Sequence, residues 1–359
     1  MALFAQDPRE IDQRASDWMH RGMDWMAQAA PGAQEKAIAC YNRAIALRRR
    51  LPLAQVPRYR YGLAAGWMNR ADAQSRLGTQ AQRVEAVASY DEALALLRSL
   101  PLEDDALYPR RLAVALINRS LVRRQGESPA EIEEAILGYR EALAVLANPA
   151  ALRIEDRSVL RAAAKGNLAD ALLATGDSAA AEAQALAQQA LGFVSLTERA
   201  DRKAAEAGGK ARHVLCAAIA AQSRDGRTVQ AELLELATAT VDDGLALARH
   251  WEQQGDAGFR ALAQDLFRFG CRVHQGGEPG FLVKFILESL DPVRTRGALP
   301  LNSENFAAAL GALWIALRGI QQDGFQSLTG IRLESVLQSL RCLSVTEDRL
   351  RDLRRAVAA

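Results

Sequence analysis

The chain has 359 residues, 49% hydrophobic and 25% charged, which gives ample apolar surface for a large core and excludes disorder as its main state. Lys and Arg number 45 against 43 Asp and Glu, so the formal charge of +2 argues against a protein whose main task is coating nucleic acid or an anionic bilayer. Ala and Leu abound while β-branched runs are nearly absent, which predicts an all-α chain.

The first residues, MALFAQDPREID, carry acids where a signal peptide needs an apolar core. The longest stretch without a formal charge, 183–197, has 15 residues and contains Gln184, Gln188 and Gln189, so no membrane span is expected. Four scattered cysteines suit reduced thiols better than a disulfide framework, and the expected location is cytoplasmic.

Along the chain, three strings recur: AIACYNRAIAL at 37–47, AVASYDEALAL at 86–96 and AILGYREALAV at 135–145. Tyr41, Tyr90 and Tyr139 are spaced 49 and 49, and upstream of each string His20, Asn69, Asn118 and Asn167 follow one another at the same step. Each unit reads as a helical hairpin. In the second unit Pro57 opens a helix to about Leu77, Gly78 ends it, and the next helix runs over about 81–99 until Leu100 and Pro101. Small residues let neighbouring backbones approach while the tyrosine fills the gap. A single hairpin cannot bury both faces, so stacking is the stable solution. A decayed fourth string, AQALAQQALGF at 183–193, has Ala187 where the tyrosine stood.

After Gly209 the period fades, and helices are expected at about 210–224, 228–239, 241–254 and 257–274, followed by a break at 276–280. Beyond it come 281–290, 305–321, 333–343 and 346–357. Leu333, Val336, Leu337 and Leu340 make an apolar stripe, and Trp314 with Phe306, Leu310, Leu313 and Leu317 reads as core at helical spacing. The expected division is a repeat array over 1–275, clearest at 15–195, and a tail over 276–359 that either caps the array or docks on a second copy.

Trp18, Gly22 and Trp25, then Ala37, Tyr41 and Ala44, and again Trp67, Gly78, Ala86, Tyr90 and Ala93, stand in an order that resembles the tetratricopeptide repeat family, with units of 49 residues in place of 34. The resemblance implies a right-handed superhelical solenoid of antiparallel hairpins whose first helices line a concave groove. It also implies that Asn69-Arg70-Ala71 and Asn118-Arg119-Ser120 correspond to a groove-facing Asn-Arg-Ser element that holds an extended peptide. An amide offers donor and acceptor together, so it suits a peptide group of any sequence. His20, Asn69, Asn118 and Asn167 are therefore the candidate groove residues, flanked by Asp72 and Asp170 in a groove of mixed apolar and acidic character. The same periodicity fits asparagines that bridge adjacent helices inside the stack.

His213 with Cys216 and Cys271 with His274 are spaced three apart, but both pairs lie within apolar helices, so buried side chains are expected in place of a metal site. No phosphate loop, nucleophile elbow or metalloprotease helix appears, and neither catalytic residues nor a cofactor is expected. The expected function is non-enzymatic binding of another protein or an extended peptide. The alternative is a regulator that senses a peptide or small ligand through a change in superhelix curvature. Neither membrane nor nucleic acid is an expected partner.

Overall fold

Proline opens three helices of the amino-terminal half, at Pro8, Pro57 and Pro129, where its missing N–H costs nothing. Thr79 and Ser128, 49 residues apart, cap two second helices by accepting from the backbone N–H groups of Gln82 at 3.2 Å and Glu131 at 3.3 Å. Gly32 and Gly78 each take a left-handed φ of 73° in the turns. In the computed structural model the described residues are 7–126, 128–222, 231–273, 286, 306–323, 331–343, 345 and 347–358. Among them are fourteen α-helices and no strand. The chain divides into two compact units, Met1–Thr175 and Gly176–Ala359, so the expected division after 275 falls within the second.

The first unit holds α1 (Pro8–Ala27), α2 (Ala33–Arg48), α3 (Pro57–Arg76), α4 (Gln80–Arg98), α5 (Leu107–Arg124), α6 (Pro129–Ala147) and α7 (Arg157–Leu173). Consecutive helices pack as pairs, α1 on α2, α3 on α4 and α5 on α6, and each pair packs on the next. The first helices also touch one another, α1 to α3, α3 to α5 and α5 to α7. Tyr41, Tyr90 and Tyr139 are at most 1% exposed, and Ala37, Ala44, Ala86, Ala93, Ala135 and Ala142 are fully buried around them. Close approach explains the small partners. A Cβ on Gly22 would stand 2.3 Å from Cε1 of Tyr41, and the buried Ala71 and Ser120 occupy the same repeat position on α3 and α5. Trp67 is buried, while Trp18 and Trp25 cover the first core cluster with Arg43 and Lys36 each 4.3 Å above their rings.

The second unit comprises α8 (Ala180–Val194), α9 (Arg202–Gln222), α10 (Ala231–Gln253), α11 (Arg260–Val273), α12 (Phe306–Asp323), α13 (Ile331–Cys342) and α14 (Glu347–Ala358). Ala183, Ala187 and Ala190 of the fourth string are fully buried. Trp314, Phe306, Leu310 and Leu313 share one core with Phe267 of α11, the α13 stripe Val336, Leu337 and Leu340, and Leu350 and Leu353 of α14. The Trp314 indole N–H donates to Asp242 at 2.7 Å, and Arg212 and Glu198 form a buried two-fold pair with both bonds at 2.7 Å.

Two expectations change here. Helix α9 begins at Arg202 and runs through Gly208 and Gly209, because a Cβ on Gly208 would lie 2.5 Å from Glu198 and one on Gly209 2.9 Å from Leu262. These glycines serve close packing inside a helix. The two helices expected over 228–254 are one, α10, since the Thr238 and Thr240 hydroxyls donate back to the carbonyls of Leu234 at 2.8 Å and Leu236 at 2.7 Å and stay within the helix. The expected break at 276–280 lies outside the described residues, as does 281–290 except for Ile286, which is helical and buried. No described helix is long and apolar enough to cross a membrane.

Candidate functional site

The first helices of the first unit enclose a cleft of about 600 Å³, a volume in the range of ligand sites. Helix α1 contributes Asp12, Ser16, Met19, His20 and Met23, which the helical period places on one face. Helix α3 adds Arg58, Tyr61, Gly62, Ala65 and Asn69 at the same kind of spacing, and Asp105, Leu107, Tyr108 and Arg111 come from the start of α5 and the turn before it. His20 and Asn69 thus share one cleft.

Its floor is held by Arg48, the last residue of α2. The buried guanidinium donates to Gly62 O at 2.7 Å, to Ser16 Oγ at 3.1 Å and to Asp12 Oδ1 at 3.2 Å, tying α1, α2 and α3 together. Such a buried charge is tolerated only when paired and hydrogen-bonded, as here. Arg58 approaches the other Asp12 oxygen at 3.5 Å from an open position, its side chain 79% exposed. On the far wall the Tyr61 and Tyr108 rings lie 5.5 Å apart, tilted by 46°, and Arg111 sits 4.3 Å above Tyr61. Burial, aided by the Asp105 and Asp104 carboxylates, pushes the Tyr108 phenol up, so it stays neutral and can donate.

The remaining candidates are placed differently. Asp72, half-buried on α3, accepts from the Tyr90 hydroxyl, and the Asn118 side chain of α5 stands beside this pair, where it favours the charged carboxylate. Burial nevertheless holds the Asp72 carboxyl above its ordinary range. Asp170 on α7 lies 3.2 Å from Arg124 Nε of α5, and Asn167 is half-buried one turn before it. The acids that the sequence set beside the groove are therefore engaged by the protein's own groups. The cleft beside His20 and Asn69 carries three arginines against two aspartates.

Sequence reasoning missed Arg58, Tyr61, Tyr108 and Arg111. Tyr61 and Arg111 do not recur at the 49-residue step, although Tyr108 stands 49 residues after Tyr59, and the signal that could have found them is the aromatic–basic cluster opening two first helices, PRYRY at 57–61 and YPRR at 108–111. Of the His213–Cys216 and Cys271–His274 pairs, expected as buried side chains, Cys216 and Cys271 are buried but His213 is exposed, contrary to that expectation, and His274 lies outside the described residues. Among the described residues no three His, Cys, Asp or Glu side chains converge on a point that could hold a metal ion. Burial pushes the Cys271 thiol up to about 12 and the Cys216 thiol also well up, so neither is a nucleophile near neutral pH. No protein-family model matches the chain, and no curated protein matches it.

Proposed function

We propose that the chain is a non-enzymatic binding module, a tetratricopeptide-like right-handed solenoid that holds an extended segment of another protein on its first helices. The observation that carries this reading is the cleft across α1, α3 and α5, which brings His20 and Asn69 of the repeat register together with aromatic and cationic side chains. Contact between successive first helices supports a curved array with those helices on the inner side. Because Asn118 stands beside the Asp72–Tyr90 pair, recognition is assigned to the His20–Asn69 end of the ladder. A cytoplasmic location goes with this reading, since the buried thiols of Cys40, Cys216 and Cys271 are unpaired.

Position-specific photo-cross-linking in cells tests it. Met23 and Leu107 line the cleft at 44% and 49% exposure, while Val84 and Leu137 on second helices are 61% and 58% exposed. A photoreactive residue at Met23 or Leu107 is expected to capture a discrete protein that the Val84 and Leu137 positions do not, and His20→Ala with Asn69→Ala should reduce that capture. Equal capture from all four positions, or none from the cleft, refutes the assignment.

A further inference from the structure

We infer that the cleft takes an acidic segment of a partner protein, with two carboxylate side chains about three residues apart seated at Arg58 and Arg111. The inference rests on the proposed peptide-binding reading of the same cleft and names the chemistry of its occupant.

The charges of the cleft separate into committed and uncommitted groups. Arg48 is spent on Asp12, Ser16 and Gly62, and Asp12 is in turn shared by Arg48 and Arg58. Asp105 accepts from its own loop, at the Leu107 backbone N–H, at 2.8 Å. What remains is positive. Arg58 meets its carboxylate only at 3.5 Å and is otherwise open to solvent. Arg111 lies over Tyr61 and has no ion pair among the described residues. A guanidinium on an aromatic face keeps its edge N–H groups free, and these fit the two oxygens of a carboxylate.

Position then sets the spacing. Arg58 leans toward α1 through Asp12, while Arg111 leans from α5 onto α3 through Tyr61, so the two cations serve successive grooves between first helices. Packed helices lie roughly 8–10 Å apart and an extended chain advances about 3.3 Å per residue, so carboxylates about three residues apart reach both. A chain terminus concentrates its charge at one place, whereas an internal acidic segment supplies two. Exposed Met23 and Leu107 at the cleft offer contacts for apolar side chains of such a segment.

The test is fluorescence anisotropy with the full chain and a labelled peptide, acetylated and amidated, carrying two glutamates three residues apart in an alanine, leucine and serine background. Binding is expected at low salt and should weaken on adding salt. Replacing both glutamates by glutamine, or introducing Arg58→Glu with Arg111→Glu, should each weaken it by about ten-fold or more. Arg58→Glu alone, at an exposed position, and Arg111→Gln keep the test readable if the double change disturbs folding. Absence of binding by the acidic peptide, equal binding of a lysine counterpart, or affinity indifferent to both arginines overturns the inference. If a neutral or basic peptide binds and His20→Ala with Asn69→Ala weakens it, the acidic occupant is refuted while the cleft stands. Failure of the binding reading itself is the separate result of equal cross-linking from all surfaces.

Discussion

The Tyr90 hydroxyl donates to the Asp72 carboxylate, whereas the hydroxyl of Tyr139, its counterpart one repeat on, is buried without a hydrogen-bond partner among the described residues. The cause is one substitution in the repeat, since Leu121 stands where Asp72 stands in the preceding unit. A buried polar group without a partner costs about 1–3 kcal/mol, and removing one partner of a made bond costs a similar amount. Tyr90→Phe is therefore expected to destabilise the first unit by about 1–2 kcal/mol, while Tyr139→Phe should be neutral or stabilising. Denaturant unfolding of the two variants decides it, and equal losses would contradict the assignment.

Asp72 makes the same contact sensitive to pH. Burial is the largest influence and raises its carboxyl, against the opposing pull of Tyr90, Arg76 and Asn118. A carboxyl raised on folding contributes stability that is fully present below its unfolded pKa and is lost as pH rises through the folded one. The parent should therefore gain relative to Asp72→Asn as the pH falls from neutrality into the carboxylate range. Paired unfolding curves across that range check the sign, and a difference moving the other way refutes it.

At high pH the buried phenols act together. Burial first, and then the Asp72 charge, push the Tyr41 phenol from 10.0 up to about 12, and Tyr90 and Tyr139 are raised too. For Tyr41 the stability at stake is roughly 3 kcal/mol, present below the unfolded value and lost as the pH rises through the folded one. An absorbance titration should show these three tyrosines ionising only as helical ellipticity is lost. Ionisation of all six tyrosines with helicity intact would contradict the burial.

Much of the first unit was legible because a repeat states the same packing problem several times. The helices expected from Pro57 and about residue 81 are α3 and α4 within a few residues, and the three tyrosines are buried as their alanine neighbours implied. Where the repeat fades, local signals mislead. Gly208 and Gly209 look like a break, and only the tertiary neighbours Glu198 and Leu262 reveal why glycine sits inside a helix. The cleft was half legible. His20 and Asn69 follow the period, but Arg58, Tyr61, Tyr108 and Arg111 meet only because α3 and α5 lie side by side, which no spacing within one helix reports.

Gly22 tests whether packing outweighs propensity in the first hairpin. Alanine is favoured over glycine in a helix by about 1 kcal/mol, yet a Cβ there would stand 2.3 Å from Cε1 and 2.8 Å from Cδ1 of Tyr41. Overpacking of this kind costs about 1–3 kcal/mol, so Gly22→Ala should lower the melting temperature despite its propensity. Combining it with Tyr41→Leu should give less than the sum of the separate losses, because the second change removes the ring that the first one meets. Additive losses in thermal unfolding would place the strain elsewhere.

The carboxyl-terminal helices are part of a core and not an appendage to one. Val336, Leu337 and Leu340 of α13 and Leu350 and Leu353 of α14 are at most 1% exposed and belong to the cluster that holds Trp314 and Phe267. Deleting residues 330–359 would uncover the Trp314 side of α12, and an apolar patch of that kind drives association. The shortened chain is expected to self-associate or to lose the cooperative unfolding of the second unit, with light scattering and tryptophan fluorescence as readouts. A smaller perturbation isolates the packing. Leu340→Ala should destabilise the second unit by about 2–5 kcal/mol, while the first unit, which contains none of this cluster, should keep its own tyrosine burial. A truncated chain that stays monomeric with unchanged melting would show that α13 and α14 contribute nothing to that core.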